Sequence, residues 1–244
     1  MLDAFSINAL PIGNQDELAE VVKAASAILV TPAPDDSGCP AFAALRMLDL
    51  CGKWVGYLST TGVYGDRNGG WVFEDSELRP TSIEGKRRVF AEAQWSQFGA
   101  HVFRLPGLYG PGRNVIERLM SGKARNIHKD DHVFSRLHHQ DCASALMASL
   151  SRPDRGAIYN LCDDEPAPGD AVLDYAAKLC DLPLPTPIVW EDPSLSPAMK
   201  RFYRDNKRVS NARAKAALGW RPTYPTYREG LDAIYRAVQS NKSD

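Results

Sequence analysis

Three consecutive hydroxyl residues, Ser59-Thr60-Thr61, end the apolar run Trp54-Val55-Gly56-Tyr57-Leu58, and Gly62, Gly65 and Asp66 follow as turn residues. Trp54, Val55, Tyr57 and Leu58 favour a strand, and a near-continuous apolar run suits a parallel strand covered on both faces. Hydroxyls at its C-terminal end stand at the edge where open α/β sheets bind ligands, or they satisfy backbone groups in the turn. Glu84 and Arg88 sit four residues apart on a helical stretch, the spacing of a surface ion pair worth about 0.3–0.5 kcal/mol. The run His128-Lys-Asp-Asp-His132 has the look of a metal cluster, but its polar setting suits a solvated loop, so no metal is expected. His138 and His139 precede a helix and are expected to fix its start. Arg113, Arg136, Arg201, Lys207 and Arg208 either line a pocket for an anionic substrate or belong to the surface.

The elements that must hold these groups alternate. Leu18, Val21, Val22 and Ala25 recur at helical spacing and lead into a short apolar strand, Ala27-Ile-Leu-Val-Thr31, stopped by Pro32 and Pro34. Asp35, Asp36 and Ser37 are candidate caps for a helix around Ala41–Leu50, ahead of the strand that ends in the hydroxyls. The segment Asp66–Pro80 is rich in turn residues. Thr81-Ser82 then caps a helix through Trp95, and Val102–Leu105 is the next strand. Pro106-Gly-Leu-Tyr-Gly-Pro-Gly112 reads as a loop throughout. Beyond it come a helix near Val115–Ser121, the polar stretch Lys123–His132, a helix over Asp141–Leu150, the strand Ala157–Leu161 and a helix over Ala171–Cys180. The proline-punctuated stretches Leu182–Pro187 and Asp192–Pro197 read as irregular, and helices over Ser210–Leu218 and Tyr227–Val238 close the chain. This alternation predicts an α/β fold, a doubly wound parallel sheet with a small C-terminal lobe.

Composition narrows the partners. The 244 residues are 44% hydrophobic, and 29 Lys and Arg against 30 Asp and Glu leave a net charge of −1. No global field gathers nucleic acid or an anionic membrane, so neither is expected as a partner. The five cysteines are spread without a C-x-x-C pair, which suits reduced thiols in a cytoplasmic protein. Met1 to Gly13 lacks the pattern of a signal peptide, and no run approaches the roughly 18 apolar residues of a membrane span. The expected location is the cytoplasm.

Four motifs in order, Ser59-Thr60 before Val63-Tyr64-Gly65, Arg104 before Tyr109-Gly-Pro-Gly112, His138 with Asp141, and Tyr159-Asn160, resemble the extended short-chain dehydrogenase/reductases. These are the NAD-dependent epimerase/dehydratase group. Leu218-Gly219-Trp220 and Glu229-Gly230-Leu231 extend the likeness to the C-terminus. The resemblance implies a Rossmann-like core over residues 1–110, with the remaining strand, helices and a smaller substrate-binding lobe over residues 111–244. It places Thr60 at the family's catalytic hydroxyl, with Glu84 and Arg88 where the family has Tyr and Lys, so the chain resembles an atypical branch lacking that pair. Thr31, Pro32, Ser59, Pro106, Gly107 and Leu108 fall at NAD(P)-binding positions, and Thr61, Tyr109, Arg113 and Arg136 at substrate positions.

The departures set further expectations. A carboxylate is a poor proton donor at neutral pH unless burial raises its pKa, so Glu84 for Tyr alters the proton-transfer machinery. Thr61 and Gly62 replace the acidic pair of sugar dehydratases, and Phe134 stands where nucleotide-sugar enzymes carry an arginine. The family's glycine-rich strand-turn-helix, which holds the dinucleotide pyrophosphate, has no counterpart before Ala27 and would need about 30 residues. Either the chain is a shortened version of a longer protein, or the nucleotide half of its fold is incomplete. NAD or NADP binding by this chain is accordingly expected to be weak. The protein is expected to act on or bind a small polar, sugar-like ligand, as an enzyme with altered residues or as a non-catalytic binding protein or inactive product derived from one. A homodimer is the expected assembly.

Overall fold

The computed structural model describes residues 8–240. The first half runs α1 (Gln15–Ala24), β1 (Ala27–Val30), α2 (Pro40–Leu45), β2 (Trp54–Thr60), a 3-10 turn (Thr61–Tyr64), β3 (Trp71–Val72), α3 (Ile83–Ser96), β4 (His101–Leu105) and β5 (Gly107–Tyr109). There follow α4 (Val115–Met120), β6 (Asn126–His128), β7 (Arg136–His138), α5 (His139–Ser151), β8 (Ile158–Asn160) and α6 (Gly169–Cys180). The chain closes with β9 (Pro187–Val189), α7 (Pro197–Phe202), β10 (Arg208–Val209), α8 (Ala212–Leu218) and α9 (Tyr227–Ser240).

The four strands read from the sequence form one parallel sheet in the order β1-β2-β4-β8. Ile28 lies opposite Val55, Tyr57 opposite Val102, and Phe103 opposite Tyr159. Side chains alternate across the sheet as the pleat requires. Val55, Tyr57 and Val102 pack with Val22 of α1, Ala41 and Leu45 of α2, and Ala91 and Trp95 of α3. Trp54, Phe103, Leu105 and Tyr159 pack on the opposite face with Cys142 and Ala145 of α5, Ala214 and Leu218 of α8, and Trp220. Each fully buried large side chain contributes about 1.5–3 kcal/mol, so both faces need their helices. A third cluster joins Ile116 of α4, Val172 and Ala176 of α6, and Leu231 and Ile234 of α9 into the lobe beside the sheet's C-terminal edge.

A buried polar network clamps the strand ends. Arg104 on β4 donates to both oxygens of Glu92 on α3 at 3.1 and 2.8 Å, and Ser59 on β2 donates to the same carboxylate at 2.5 Å. Arg104 also donates to the Tyr64 hydroxyl and the Glu74 carbonyl, each at 2.9 Å. Tyr64 passes the chain to Asn160 of β8 at 2.7 Å, whose N–H donates to the Glu74 carboxylate at 2.9 Å. The sequence motif residues Arg104, Tyr64 and Asn160 therefore hold the sheet's C-terminal edge together.

Several local expectations are corrected. The Pro106–Gly112 stretch is not wholly loop, because Gly107–Tyr109 pairs in parallel with Arg136–His138 and so satisfies backbone groups beneath the lobe. The polar Lys123–His132 stretch and the proline-rich Leu182–Pro187 stretch meet as a second short ladder, Ile127 opposite Ile188. Asp35 does not cap α2; its carboxylate accepts from the Ser37 N–H at 2.7 Å in a local turn, and α2 starts at Cys39 with Pro40 in its first turn. Among the described residues no helix is long and apolar enough to cross a membrane.

Candidate functional site

A cleft of about 1050 Å³ opens between the C-terminal edge of the sheet and the lobe. Its sheet-side wall is built by two elements that touch closely. Thr60 ends β2 and caps the 3-10 turn, its oxygen accepting from the Gly62 N–H at 3.1 Å, so its own O–H is left to donate outward. Ser82 caps α3 by accepting from the Gly85 N–H at 2.9 Å. Gly85 lets α3 approach the turn, since a Cβ there would lie 2.9 Å from the Pro80 side chain and 3.0 Å from the Gly62 carbonyl. That approach brings Glu84 to the same cleft as Thr60 and Thr61. Glu84 makes no side-chain hydrogen bond or ion pair among the described residues.

The surface ion pair between Glu84 and Arg88 does not form. Arg88 turns inward, donating to the Tyr57 hydroxyl at 3.0 Å and the Leu58 carbonyl at 2.6 Å, and it is not among the cleft's lining residues. A buried strand-end carbonyl needs a donor, and this contact outweighs a solvated pair worth a few tenths of a kcal/mol. Burial pushes the Tyr57 phenol up to about 12 against the pull of Arg88.

Pro106, Gly107, Leu108 and Tyr109 line the cleft floor, as do Arg113 and Arg136. Ser59 does not: its hydroxyl is spent inside on Glu92. Thr31 and Pro32 are exposed at the end of the edge strand β1, outside the lining. Tyr109 packs its ring against α9 where a Cβ on Gly230 would stand 2.0 Å from its hydroxyl. Burial, then Asp163 and Asp141, raise its phenol pKa, and its hydroxyl points to the Thr226 carbonyl at 3.5 Å.

The floor hides two charges. Arg136 donates through one nitrogen to the Phe134 and Ala167 carbonyls, both at 2.9 Å, and desolvation lowers its pKa. Asp163 is only 2% exposed, and neither carboxylate oxygen meets a donor in hydrogen-bonding geometry. Burial pushes Asp163 up to about 8, with the Arg136 charge pulling the other way.

The lobe-side wall is basic. Arg113, Arg118, Arg125, Arg136, Arg201, Arg204 and Lys207 face three acidic residues, Glu84, Glu117 and Asp205. Glu117 already accepts from the Gly112 N–H and the Asn114 amide at 2.8 Å, and Asp205 from the Thr81 hydroxyl at 2.7 Å. Among the described residues Arg113, Arg118, Arg125 and Arg201 make no side-chain hydrogen bond or ion pair. Phe134, Phe202 and Tyr203 form an aromatic cluster between them, with the Phe134 and Phe202 rings stacked at 4.8 Å.

The histidines divide. His138 accepts from the Gln140 N–H at 3.3 Å and caps α5, as read from the sequence. His128 is held at the surface by Asp170 at 2.6 Å and Asp130 at 3.0 Å, and these contacts raise its pKa. His132 is buried against Phe134 and Tyr203, and burial lowers it to about 4. The two histidines of the run thus point to different surroundings, and among the described residues no group of three or more potential ligands could hold a metal ion. The sequence did not single out Arg118, Arg125, Asp205 or Asp163. Arg118 and Arg125 meet the cleft only through segments distant in the chain, and Thr81, the hydroxyl partner of Asp205, lies 124 residues away.

Among the described residues no glycine-rich strand-turn-helix, the element that holds a dinucleotide's pyrophosphate in this fold, stands ahead of β1. α1, the helix ahead of β1, carries Asp16 and Glu17 in its first turn, with Asn14 as its cap.

The chain matches no protein-family model. It is 46% identical to a functionally unknown conserved protein from Silicibacter pomeroyi, with a TM-score of 0.85 over 88% of this chain and 79% of that one. The dTDP-glucose 4,6-dehydratase of Bacillus anthracis in complex with NAD is 19% identical with a TM-score of 0.76, over 96% of this chain and 79% of that one. A 3-diazoavenalumate denitrifying reductase from a Streptomyces species is 30% identical over 147 residues, 56% of this chain and 47% of the reductase. The matched stretch is thus about half of that curated relative. The chain belongs to one family with the Silicibacter protein and carries the Rossmann-like fold of the NAD-dependent epimerases/dehydratases.

Proposed function

We propose that this protein is an NAD-dependent epimerase/dehydratase-like protein whose cleft takes a small polar organic anion, sugar acids included. The observation that carries this reading is the set of four arginines, Arg113, Arg118, Arg125 and Arg201, left without an acidic partner around a single cleft. Charge-assisted contacts to a carboxylate or phosphate contribute about 1.5–3 kcal/mol each, so two of them suffice for selective capture. The Thr60 O–H then donates to a ligand oxygen, and the unpaired Glu84 carboxylate accepts from a ligand hydroxyl. The described residues do not supply the anion site of a dinucleotide. NADH and NADPH are accordingly proposed to bind this 244-residue chain weakly.

One observation favours a binding protein over an enzyme. Arg88, at the position of the family's catalytic lysine, is fully engaged with Tyr57 and Leu58 and offers nothing to the cleft. Calorimetric titration with glucuronate, benzoate, glucose, NADH and NADPH tests the reading. It predicts saturable binding of an anion with no binding of glucose, and an equal response to charged and neutral probes overturns it. A turnover screen with carbonyl substrates and either reduced cofactor separates enzyme from binding protein.

A further inference from the structure

Lys207 lies just ahead of β10, where the chain returns from the lobe to the sheet, and it lines the cleft together with Ser82, Glu84 and Asp205. Its side chain is only 11% exposed, so most of a long aliphatic stem is packed away in a residue that lines the cavity. The ammonium makes no hydrogen bond among the described residues. Its nearest carboxylate, Asp205, is 3.9 Å away, beyond a good ion-pair contact. The Asp205 oxygens are already taken by the Thr81 hydroxyl at 2.7 and 2.9 Å, with Arg204 at 3.8 Å. Thr81 immediately precedes Ser82, the cap of α3, so the Asp205–Thr81 contact ties the Lys207 segment to the start of the helix that carries Glu84.

The surroundings disfavour a full charge on this amine. Burial acts most strongly and lowers the Lys207 pKa; Asp205 and Asp66 oppose it, and Arg67 adds to it. His132 faces the same corner, only 2% exposed and with neither ring nitrogen hydrogen-bonded. Lys207 and Lys129 both help burial to keep its ring neutral, so it brings no compensating charge. A lysine with a buried stem, a bordering cavity and a distant, already occupied counter-ion holds its proton less firmly than a lysine in water.

We infer that Lys207 is the reactive amine of the cleft, a proton donor and acceptor in the cavity shared by Thr60 and Glu84. Its ammonium gives a proton to an anionic ligand oxygen, the O–H bond forming as the N–H bond breaks, and is left as a neutral amine. In the reverse direction the neutral amine takes the proton of a ligand hydroxyl. This places a proton-exchanging amine in the same cavity as Glu84, whose carboxylate has no partner among the described residues. The assignment of a ligand oxygen rests on the anion-binding reading above, whereas the reactivity of the amine does not.

Competitive labelling of the full chain with acetic anhydride between about pH 6 and 11, read for each lysine by mass spectrometry, tests the inference. Lys207 is expected to label with a midpoint below that of the exposed lysines in the same sample. Asp205→Asn is expected to lower that midpoint further, because the charge of Asp205 supports the ammonium. A Lys207 midpoint equal to that of the exposed lysines, or labelling only on unfolding, overturns the inference. The wild-type titration decides this even where the variant fails to fold. A low Lys207 midpoint in a protein that captures no anion keeps this inference and removes the anion-binding reading.

Discussion

Replacing Asp163 by Asn should stabilise the protein, by an amount that grows with pH. The carboxylate is 2% exposed without a hydrogen bond, and its folded pKa of about 8 compares with 3.8 for the free group. A folded pKa raised above the unfolded one means that the unfolded chain ionises first as pH rises. The stability tied to the protonated form is complete below about pH 4 and is lost progressively up to about pH 8. Each unit is worth about 1.4 kcal/mol, so the loss is on the order of 4 kcal/mol at pH 7 and roughly 6 kcal/mol above pH 8. Asn mimics the neutral acid in shape and charge and escapes this loss. Against a total stability of about 5–15 kcal/mol the effect is large. Urea unfolding of both proteins at about pH 4, 7 and 9 should give matching midpoints at the acid end and a widening advantage for the Asp163→Asn variant toward alkaline pH, with unchanged slopes. An Asp163→Asn variant less stable than wild type at alkaline pH would refute the reasoning, because it would mean that an ionised Asp163 is compensated by Arg136.

Two further substitutions probe the scaffold. Arg104→Met leaves Glu92 buried without its partner and should cost about 3–5 kcal/mol, measured by urea unfolding, with a wild-type-like result sinking the clamp described at the strand ends. Gly85→Ala forces a methyl against Pro80 and the Gly62 carbonyl and should cost about 1–3 kcal/mol by the same assay. It should also weaken ligand capture, since Glu84 rides on the displaced turn of α3.

The sheet was legible because its strands are short apolar runs between helical repeats. Ala27–Val30, Trp54–Thr60, His101–Leu105 and Ile158–Asn160 all carry a local signal, and parallel pairing follows from the helices between them. The small ladders were not legible. Gly107–Tyr109 and Pro187–Val189 are strands only because a distant segment offers them partners, against their own glycine and proline content. At the site, Thr60 and Glu84 could be placed by motif, and both line the cleft. The inward turn of Arg88 could not, because i,i+4 spacing describes only an isolated helix and omits the Leu58 carbonyl waiting behind it. The inward turn of the Ser59 hydroxyl was hidden for a similar reason, since its partner Glu92 lies 33 residues away. Asp163 gave no sign at all: a turn-rich stretch near Asp164 suggests exposure, while the fold buries its neighbour beside Arg136.

The central claim is that unpaired arginines make the cleft an anion site, and one comparison tests it most directly. The dissociation constant of the tightest anion among glucuronate, benzoate and pyrophosphate is measured by calorimetry for the wild type and for the double variant Arg118→Ser/Arg201→Ser, whose positions line the cleft without partners. Loss of one to two charge-assisted contacts predicts binding weaker by about tenfold or more in the variant, with a wild-type affinity that falls as salt is added. An unchanged dissociation constant in the double variant, or a wild-type affinity indifferent to salt, would contradict it.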